Sequence, residues 1–495
     1  MMDYYNSQNM IYYAPVPSEA PDFREKMARR LGFASLLYAA FSTFCLYKNL
    51  CGITMPFFAV ATLVYMIYSL KQYDVEIKRT SWFYAFVILA LSVIDFLTGN
   101  LTILFYNKLG MGLMIFIFML HNVYDDSRWN FGKTAMSVFE SFIFSVGAMD
   151  DFGKDMAVLR QRSAAGTEGG ERRKTIKYVF IGLVIAFPVV AILMLLLSEA
   201  DLVFGSLITR YLLVEINFGN GIGVAITFII IYFAAYCTMR FFSKKTLSEE
   251  VVYKRNYEPV IAITVLSMVS LLYIVFSVIQ FVYLFRGEGT PPGGYTYAQY
   301  AHEGFYQLLA VSIINFLMVI FVNSRFRENI VLKVLMTIIS LCTYVMIASS
   351  YFRIKMYIDA YLLTSLRIWV LWGLAVLSLL FIAVIVSIYK NEFPLFRYSI
   401  IVVSVLYIII GFARMDYIIA DYNLSHAKTL ESAYSVDYDY LANLSTDAAP
   451  IIANYDEGWT GEYFDRCSSF YEDRSLRQFN LSAYIAEKLR HGDGG

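Results

Sequence analysis

The dominant pattern along the chain is a succession of uncharged apolar runs separated by short polar stretches, recurring from about Phe33 to Ala413. Tyr178 to Ser198 and Pro259 to Phe285 carry no charged residue at all. A hydrocarbon core about 30 Å thick takes roughly 20 helical residues to cross, so runs of this length can span a bilayer. Backbone amides in lipid must be paired, and continuous runs do not match the short alternating segments of a barrel. The pattern therefore predicts an all-α fold, a polytopic integral membrane bundle. Spanning helices are expected near 33–48, 53–70, 82–98, 101–120, 177–198, 221–239, 259–285, 304–324, 334–352, 368–389 and 398–413, about eleven in all.

Two stretches break the pattern. Between Trp129 and Leu159, apolar Ala135, Val138, Phe139, Phe142, Ile143 and Val146 recur at spacings of three and four beside charged residues. That spacing predicts an amphipathic helix on the cytoplasmic surface, or a docking face for another subunit, followed by the small, polar linker RSAAGTEGGERRK. From Arg414 onward short apolar clusters alternate with Ser, Thr and Asp in capping positions, which predicts a small helical carboxy-terminal domain. Ser445, Thr446 and Asp447 stand before AAPIIANY as a helix start. Tyr422-Asn423-Leu424-Ser425 recurs as Phe479-Asn480-Leu481-Ser482, an echo that reads as a repeated helix-start device. The expected organisation is a disordered, basic cytoplasmic tail (1–32), helices one to four (33–122), the amphipathic helix and linker (123–176), helices five to eleven (177–413) and the polar helical domain (414–495).

Charge sets the expected orientation, because basic loops tend to stay cytoplasmic. Arg24, Lys26, Arg29 and Arg30 precede the first helix, and Lys71, Lys78 and Arg79 follow the second. Arg172, Arg173 and Lys174, then Arg240, Lys244 and Lys245, then Arg325, Arg327 and Lys333 fall on the same side if the helices alternate. This places the amino terminus in the cytoplasm and, with an odd helix count, the tail outside the plasma membrane.

Composition agrees with membrane burial, at 58% hydrophobic and 16% charged residues with a mean hydropathy of +0.56. A formal net charge of +0 gives no reason to expect a nucleic-acid partner. Five cysteines form no CxxC pair, so neither a metal site nor a disulfide framework is expected, and no cofactor motif is present. Cys467 stands alone in the polar tail, where a thiol reagent would be expected to reach it.

Candidate chemistry is confined to a few positions. If Arg353 to Arg367 were one helix, 100° steps would place Arg353, Tyr357, Tyr361, Thr364 and Arg367 on one stripe. Two guanidinium groups there can hold an anionic head group or a carboxylate; the same residues also fit snorkelling arginines and an interfacial tyrosine belt. Asp95, Asp201, Glu215 and Glu303 are ionisable at or near membrane depth, where charge is costly. Asp201, His302 and Glu303 are possible ionisable partners of the arginines. In the tail, Asp421, Asn423 and Asn480 are the candidate partner-binding residues.

The segments SEADLVF, VIQFVYLFRG, YAQYAHEGFYQLLAVSIINF, FRIKMYIDAYLLTSLR and ARMDYIIADYNL…YDYLANLSTDAAP together resemble an uncharacterised bacterial multi-pass membrane family, domain of unknown function 4173, related to 4153. The resemblance spans roughly residues 180–485 and implies a bacterial cell membrane with no established activity. It departs from the family pattern at Ala420-Asp421-Tyr422-Asn423, where an arginine usually precedes the tyrosine.

Three functions fit these observations. The first is a non-enzymatic envelope sensor or assembly protein, whose partners are the bilayer and another membrane or envelope protein. The second is a transporter or flippase, suggested by Pro188 and the GNGIG stretch at 219–223. The third is a membrane enzyme on a lipid-linked substrate. Oligomeric state has no signal in the chain.

Overall fold

A computed structural model describes residues 21–127, 129–163, 219–249, 255–286, 297–390, 392–427, 436–455, 458–471 and 476–490. Seventeen α-helices run through these residues: α1 (Pro21–Leu46), α2 (Thr54–Gln72), α3 (Ser81–Leu97), α4 (Leu101–Val123), α5 (Phe131–Gly147), α6 (Met149–Ser163), α7 (Gly219–Ser243), α8 (Pro259–Arg286), α9 (Tyr297–Arg325), α10 (Ile330–Tyr361), α11 (Ser365–Tyr389) and α12 (Leu395–Ala413), then the tail helices α13 (Met415–His426), α14 (Tyr438–Ala442), α15 (Ala449–Ile452), α16 (Gly458–Tyr471) and α17 (Leu481–Arg490). Among the described residues no strand forms beyond an isolated bridge between Tyr257 and Phe326.

The all-α reading holds, and eight of these helices are long and apolar enough to cross a membrane. Helix α3 matches its expected span and is apolar but shorter, at 17 residues. Helix α1 starts at Pro21, so Arg24, Lys26, Arg29 and Arg30 lie within it rather than ahead of it. The span expected at 177–198 lies outside the described residues, as do Asp201 and Glu215. The single amphipathic helix expected over 129–159 is instead two, α5 and α6, separated at Ala148. Helix α5 is inverted relative to a soluble helix. Ser137, Ser141 and Ser145 are buried at steps of four, whereas Phe139, Phe142 and Val146 are exposed, the polarity expected of a helix that faces lipid.

The chain divides into two compact units: Met1–Tyr47, Val64–Tyr73 and Ile143–Thr246 form one, and Lys48–Leu63, Asp74–Phe142 and Leu247–Gly495 the other. In the first unit α1, α6 and α7 converge on Asp155, whose side chain is fully buried. Its carboxylate accepts from Arg24 Nη1 (3.0 Å), Tyr236 OH (2.8 Å) and Arg240 Nε (2.7 Å), and Arg240 is itself 0% exposed. Lys244 pairs with Asp151 at 2.6 Å one turn earlier on α6. Tyr65 OH and Tyr73 OH donate to the Ala235 and Met239 carbonyls of α7, fixing α2's second half to the same group.

In the second unit α3 and α4 form a hairpin through Thr98–Asn100, and α10, α11 and α12 follow with short connections. Asp95 of α3 is buried and held by Lys108 and by Asn107 Nδ2 (2.8 Å) of α4, while Tyr407 OH of α12 donates to Asn107 Oδ1 (2.9 Å). An intramembrane charge is thus neutralised within the hairpin. At the other end of α4, His121 is 3% exposed and bridges Asp126 (2.7 Å) and Thr80 (2.6 Å).

The tail folds onto the α3–α4 turn end of this unit rather than standing free of it. Its core is Leu441, Ala448, Ala449, Ile452, Tyr463 and Ala486, all 0% exposed. Removing the buried partner of an ion pair leaves an uncompensated charge, at a cost of about 3–5 kcal/mol. Asp155→Ala should therefore lower the melting temperature of the purified protein sharply, while the exposed Asp150→Ala should leave it near wild type; thermal unfolding in detergent checks both.

Candidate functional site

The carbonyls that end a spanning helix have no partner within it, and the tail of the second unit supplies several. Asn480 Nδ2 donates to the Asp95 and Thr98 carbonyls of α3 (3.1 and 3.0 Å), and its Oδ1 caps α17 by accepting from Ala483 N (3.1 Å). Asn423 makes a two-way clamp on Leu363, accepting from its N–H (2.8 Å) and donating to its carbonyl (2.9 Å). The echoed tripeptides are therefore a repeated clamp on bundle-end backbone. Only Asn480 also starts a helix, since Asn423 lies inside α13. Ile53 N donates to the Phe479 carbonyl (2.8 Å), bringing a third loop to the same place.

Two carboxylates sit under this cap. Asp416, in the first turn of α13, is 3% exposed; its Oδ2 accepts from Asn100 Nδ2 (2.9 Å) and Ser445 N (3.1 Å). Its Oδ1 is covered and makes no hydrogen bond. Asn100 can reach it because its own Oδ1 caps α4 through Ile103 N (3.1 Å). Asp447 is 1% exposed, accepting from Thr98 Oγ1 and from Gly99 N (3.1 Å). Gly99 is required there, since a Cβ would lie 2.1 Å from Thr446 Oγ1. Neither acid has a basic side chain in salt-bridge contact among the described residues.

Burial pushes the Asp447 carboxyl above the usual carboxylate range, against the hydrogen bonds from Ser482, Thr98 and Gly99 that pull it down; the charge of Asp416 raises it further. A cavity of about 400 Å³ opens beside the pair, bordered by Asn100, Asp416, Tyr440, Ser445, Thr446 and Cys467. Tyr440 OH accepts from Ser365 N at 2.8 Å, tying the cavity wall to the start of α11. The arrangement can hold a proton on Asp447 and admit a small polar solute beside it. Among the described residues no cluster of His, Cys, Asp and Glu could hold a metal ion.

The expected arginine stripe takes a different form. Helix α10 stops at Tyr361, and Leu362 has φ 62°, so Arg353 and Arg367 do not share one helix. Arg367 turns back from α11 to donate to the Tyr361 (2.7 Å) and Leu362 carbonyls, with its guanidinium 4.0 Å over the Tyr357 ring. Tyr357 and Tyr361 meet edge to face at 5.1 Å. The structure thus brings Tyr357, Tyr361 and Arg367 together through a turn, with Thr364 at the N-cap of α11 and Arg353 one turn below Tyr357 on α10. His302 and Glu303 fall in the first turns of α9, with side chains outside the described residues. In the tail, Asp421 is exposed, whereas Asn423 and Asn480 are buried and committed to backbone. The sequence marks Asp447 only as part of a helix start and does not mark Asp416, although both stand inside the ARMDY…STDAAP segment that carries the family resemblance.

No curated protein and no solved structure matches this chain. A family profile does match, over residues 85–455, a segment that contains most of α3, all of α4, α10 to α13 and both buried acids. The match is to family 4153 and not to the related 4173 group that the motifs suggest. The chain thus belongs to the family described as Domain of unknown function (DUF4153).

Proposed function

We propose that this chain is a non-enzymatic sensor of the bacterial cell envelope, a multi-pass plasma-membrane protein whose extracytoplasmic tail docks on the bundle under control of protonation. The observation that carries the reading is the pair Asp416 and Asp447, both buried at the junction of tail and bundle with no basic partner among the described residues. A carboxylate without a cation is a poor structural device, because hydrogen bonds offset its desolvation only in part. It is a good proton-dependent one. The tail is also the surface on which an envelope partner would act.

The sign follows from the raised carboxyl of Asp447. The docked state binds its proton more tightly than an undocked, hydrated carboxyl of pKa about 3.9. Docking is therefore fully favoured below that value and weakens as pH rises through the raised one. Hydrogen exchange of segments 438–452 and 481–490 should show protection that declines from acid toward neutral pH. Asp447→Asn, which cannot ionise, should keep protection high throughout. Protection that rises with pH, or an unchanged profile in Asp447→Asn, would reject the reading.

Orientation is supported by the basic loops of the second unit. Lys78 and Arg79, Arg325 and Arg327, and Arg397 border the ends of α3, α9 and α12 that lie away from the tail. Cys467 is a poor reporter of sidedness, because it is 6% exposed and burial pushes its thiol up to about 11. All five native cysteines are buried, whereas Leu476 is 88% exposed. Leu476→Cys should therefore react with an impermeant maleimide on intact cells while the parent chain does not. Labelling only after lysis would place the tail in the cytoplasm.

Transport is the second reading, favoured by the buried Asp95–Lys108 pair within the α3–α4 hairpin.

A further inference from the structure

A cavity of about 590 Å³, within the range of small-molecule sites, lies at the end of the second unit's bundle remote from the tail. It opens where three spanning helices terminate. Ile320, Asn323 and Ser324 belong to the last turns of α9, Ser387 to the last turn of α11, and Leu395 is the first residue of α12. That is the depth at which lipid head groups meet the helix ends. Trp129 stands at the rim, 7% exposed, with its indole N–H on the Glu249 carbonyl (3.2 Å) and Lys133 Nζ 5.3 Å over its ring. An amphipathic ring so held is typical of a membrane interface anchor.

The polar lining is divided by its hydrogen-bonding sense. On the loop side are donors. Asn130 spends its Oδ1 on Lys133 N (2.8 Å), which leaves the amide N–H groups to face a ligand, and Ser127 adds a hydroxyl. Arg255 is the cation of the lining. It pairs with Glu328, which Lys333 also contacts (2.9 Å). On the helix-end side are acceptors. Asn323 donates its Nδ2 to the Ser387 carbonyl (3.1 Å), which presents Oδ1. Ser324 and Ser387 turn their hydroxyl protons back onto the Phe321 and Val384 carbonyls (3.0 and 2.7 Å), leaving oxygen lone pairs outward. Glu392 adds an exposed carboxylate to the same lining. Phe131, Phe393 and Leu395 supply apolar wall.

We propose that this cavity seats a phospholipid head group bearing a primary amine. The phosphate lies against Arg255, Asn130 and Ser127, and the ammonium against Asn323 Oδ1, Ser387 and Glu392. Both halves of the lining are then used: guanidinium and amide donors match phosphate oxygens, and three ammonium protons match three acceptors. A quaternary ammonium has no N–H to give, and a glycerol head group has no cation.

Native mass spectrometry of the full-length protein in mild detergent, delipidated and then offered phosphatidylethanolamine, phosphatidylcholine or phosphatidylglycerol of one acyl composition, tests this. One equivalent of phosphatidylethanolamine should be retained on the order of tenfold more strongly than either competitor, the effect of losing a charged hydrogen-bonded contact. Glu392→Gln, an exposed change that leaves the fold intact, should narrow the preference over phosphatidylglycerol, and Arg255→Gln should weaken retention of both. Equal retention of the three lipids, or an unchanged preference in Glu392→Gln with a native melting temperature, would overturn the assignment. Binding of free phosphoethanolamine as strong as that of the lipid would overturn the lipid source.

Discussion

Every spanning helix must end, and at its end several backbone carbonyls lose their partners just where water becomes scarce. That constraint organises the second unit of this protein. The last carbonyls of α3 are taken by Asn480, those of α10 by Arg367, and the strained connection after α10 by Asn423. Asn480 and Asn423 come from far along the chain, so the end of α3 and the connection after α10 are completed only by tertiary structure. Leu362 shows the cost. A leucine at φ 62° and ψ −171° stands in a region that costs about 1–3 kcal/mol, and it persists because hydrogen bonds from both sides over-determine it. The tail is therefore part of the bundle's own satisfaction of hydrogen bonds.

The same docking creates the buried acids. To bring Thr98 and Gly99 against the tail, the chain must place something that accepts both a hydroxyl and an amide proton, and Asp447 does so with its two oxygens. Asp416 does the equivalent for Asn100 and Ser445. Both carboxylates are good acceptors, and Asp447 is a poor ion where it sits. The proposed proton response of the junction rests on the tension between those two properties. A neutral amide could satisfy part of the geometry but could not ionise.

Much of the bundle was legible because apolar runs of membrane length have few alternative structures. The positions of α2, α4, α8 and α12 follow their runs within a few residues. What was not legible was set by distant contacts. FRIKMYIDAYLLTSLR contains no Gly or Pro to announce the break after Tyr361; the break depends on Arg367 and Asn423, and the latter lies 60 residues away. The repeated Asn-Leu-Ser pattern was visible, but its purpose was not, because a capping asparagine and a clamping asparagine look alike in one dimension. Asp95 was recognisable as an ionisable group at membrane depth, while its partner Lys108 became evident only once the hairpin set them side by side. Asp447 resembled a helix cap for the same reason. Ser445 caps the turn, accepting from Asp447 N, and the carboxylate reaches across to α3.

The bonds that close the cap join Thr98 to Asp447 and to Asn480, separations of 349 and 382 residues. Contacts so remote in sequence can form only after the intervening helices have been inserted and gathered, since closing so long a loop earlier gains nothing against its entropy. During synthesis the turn after α3 therefore waits, its carbonyls solvated, for a segment made hundreds of residues later. Docking of the tail is the closing event of assembly for this unit. A docked tail accordingly marks a chain whose bundle is complete.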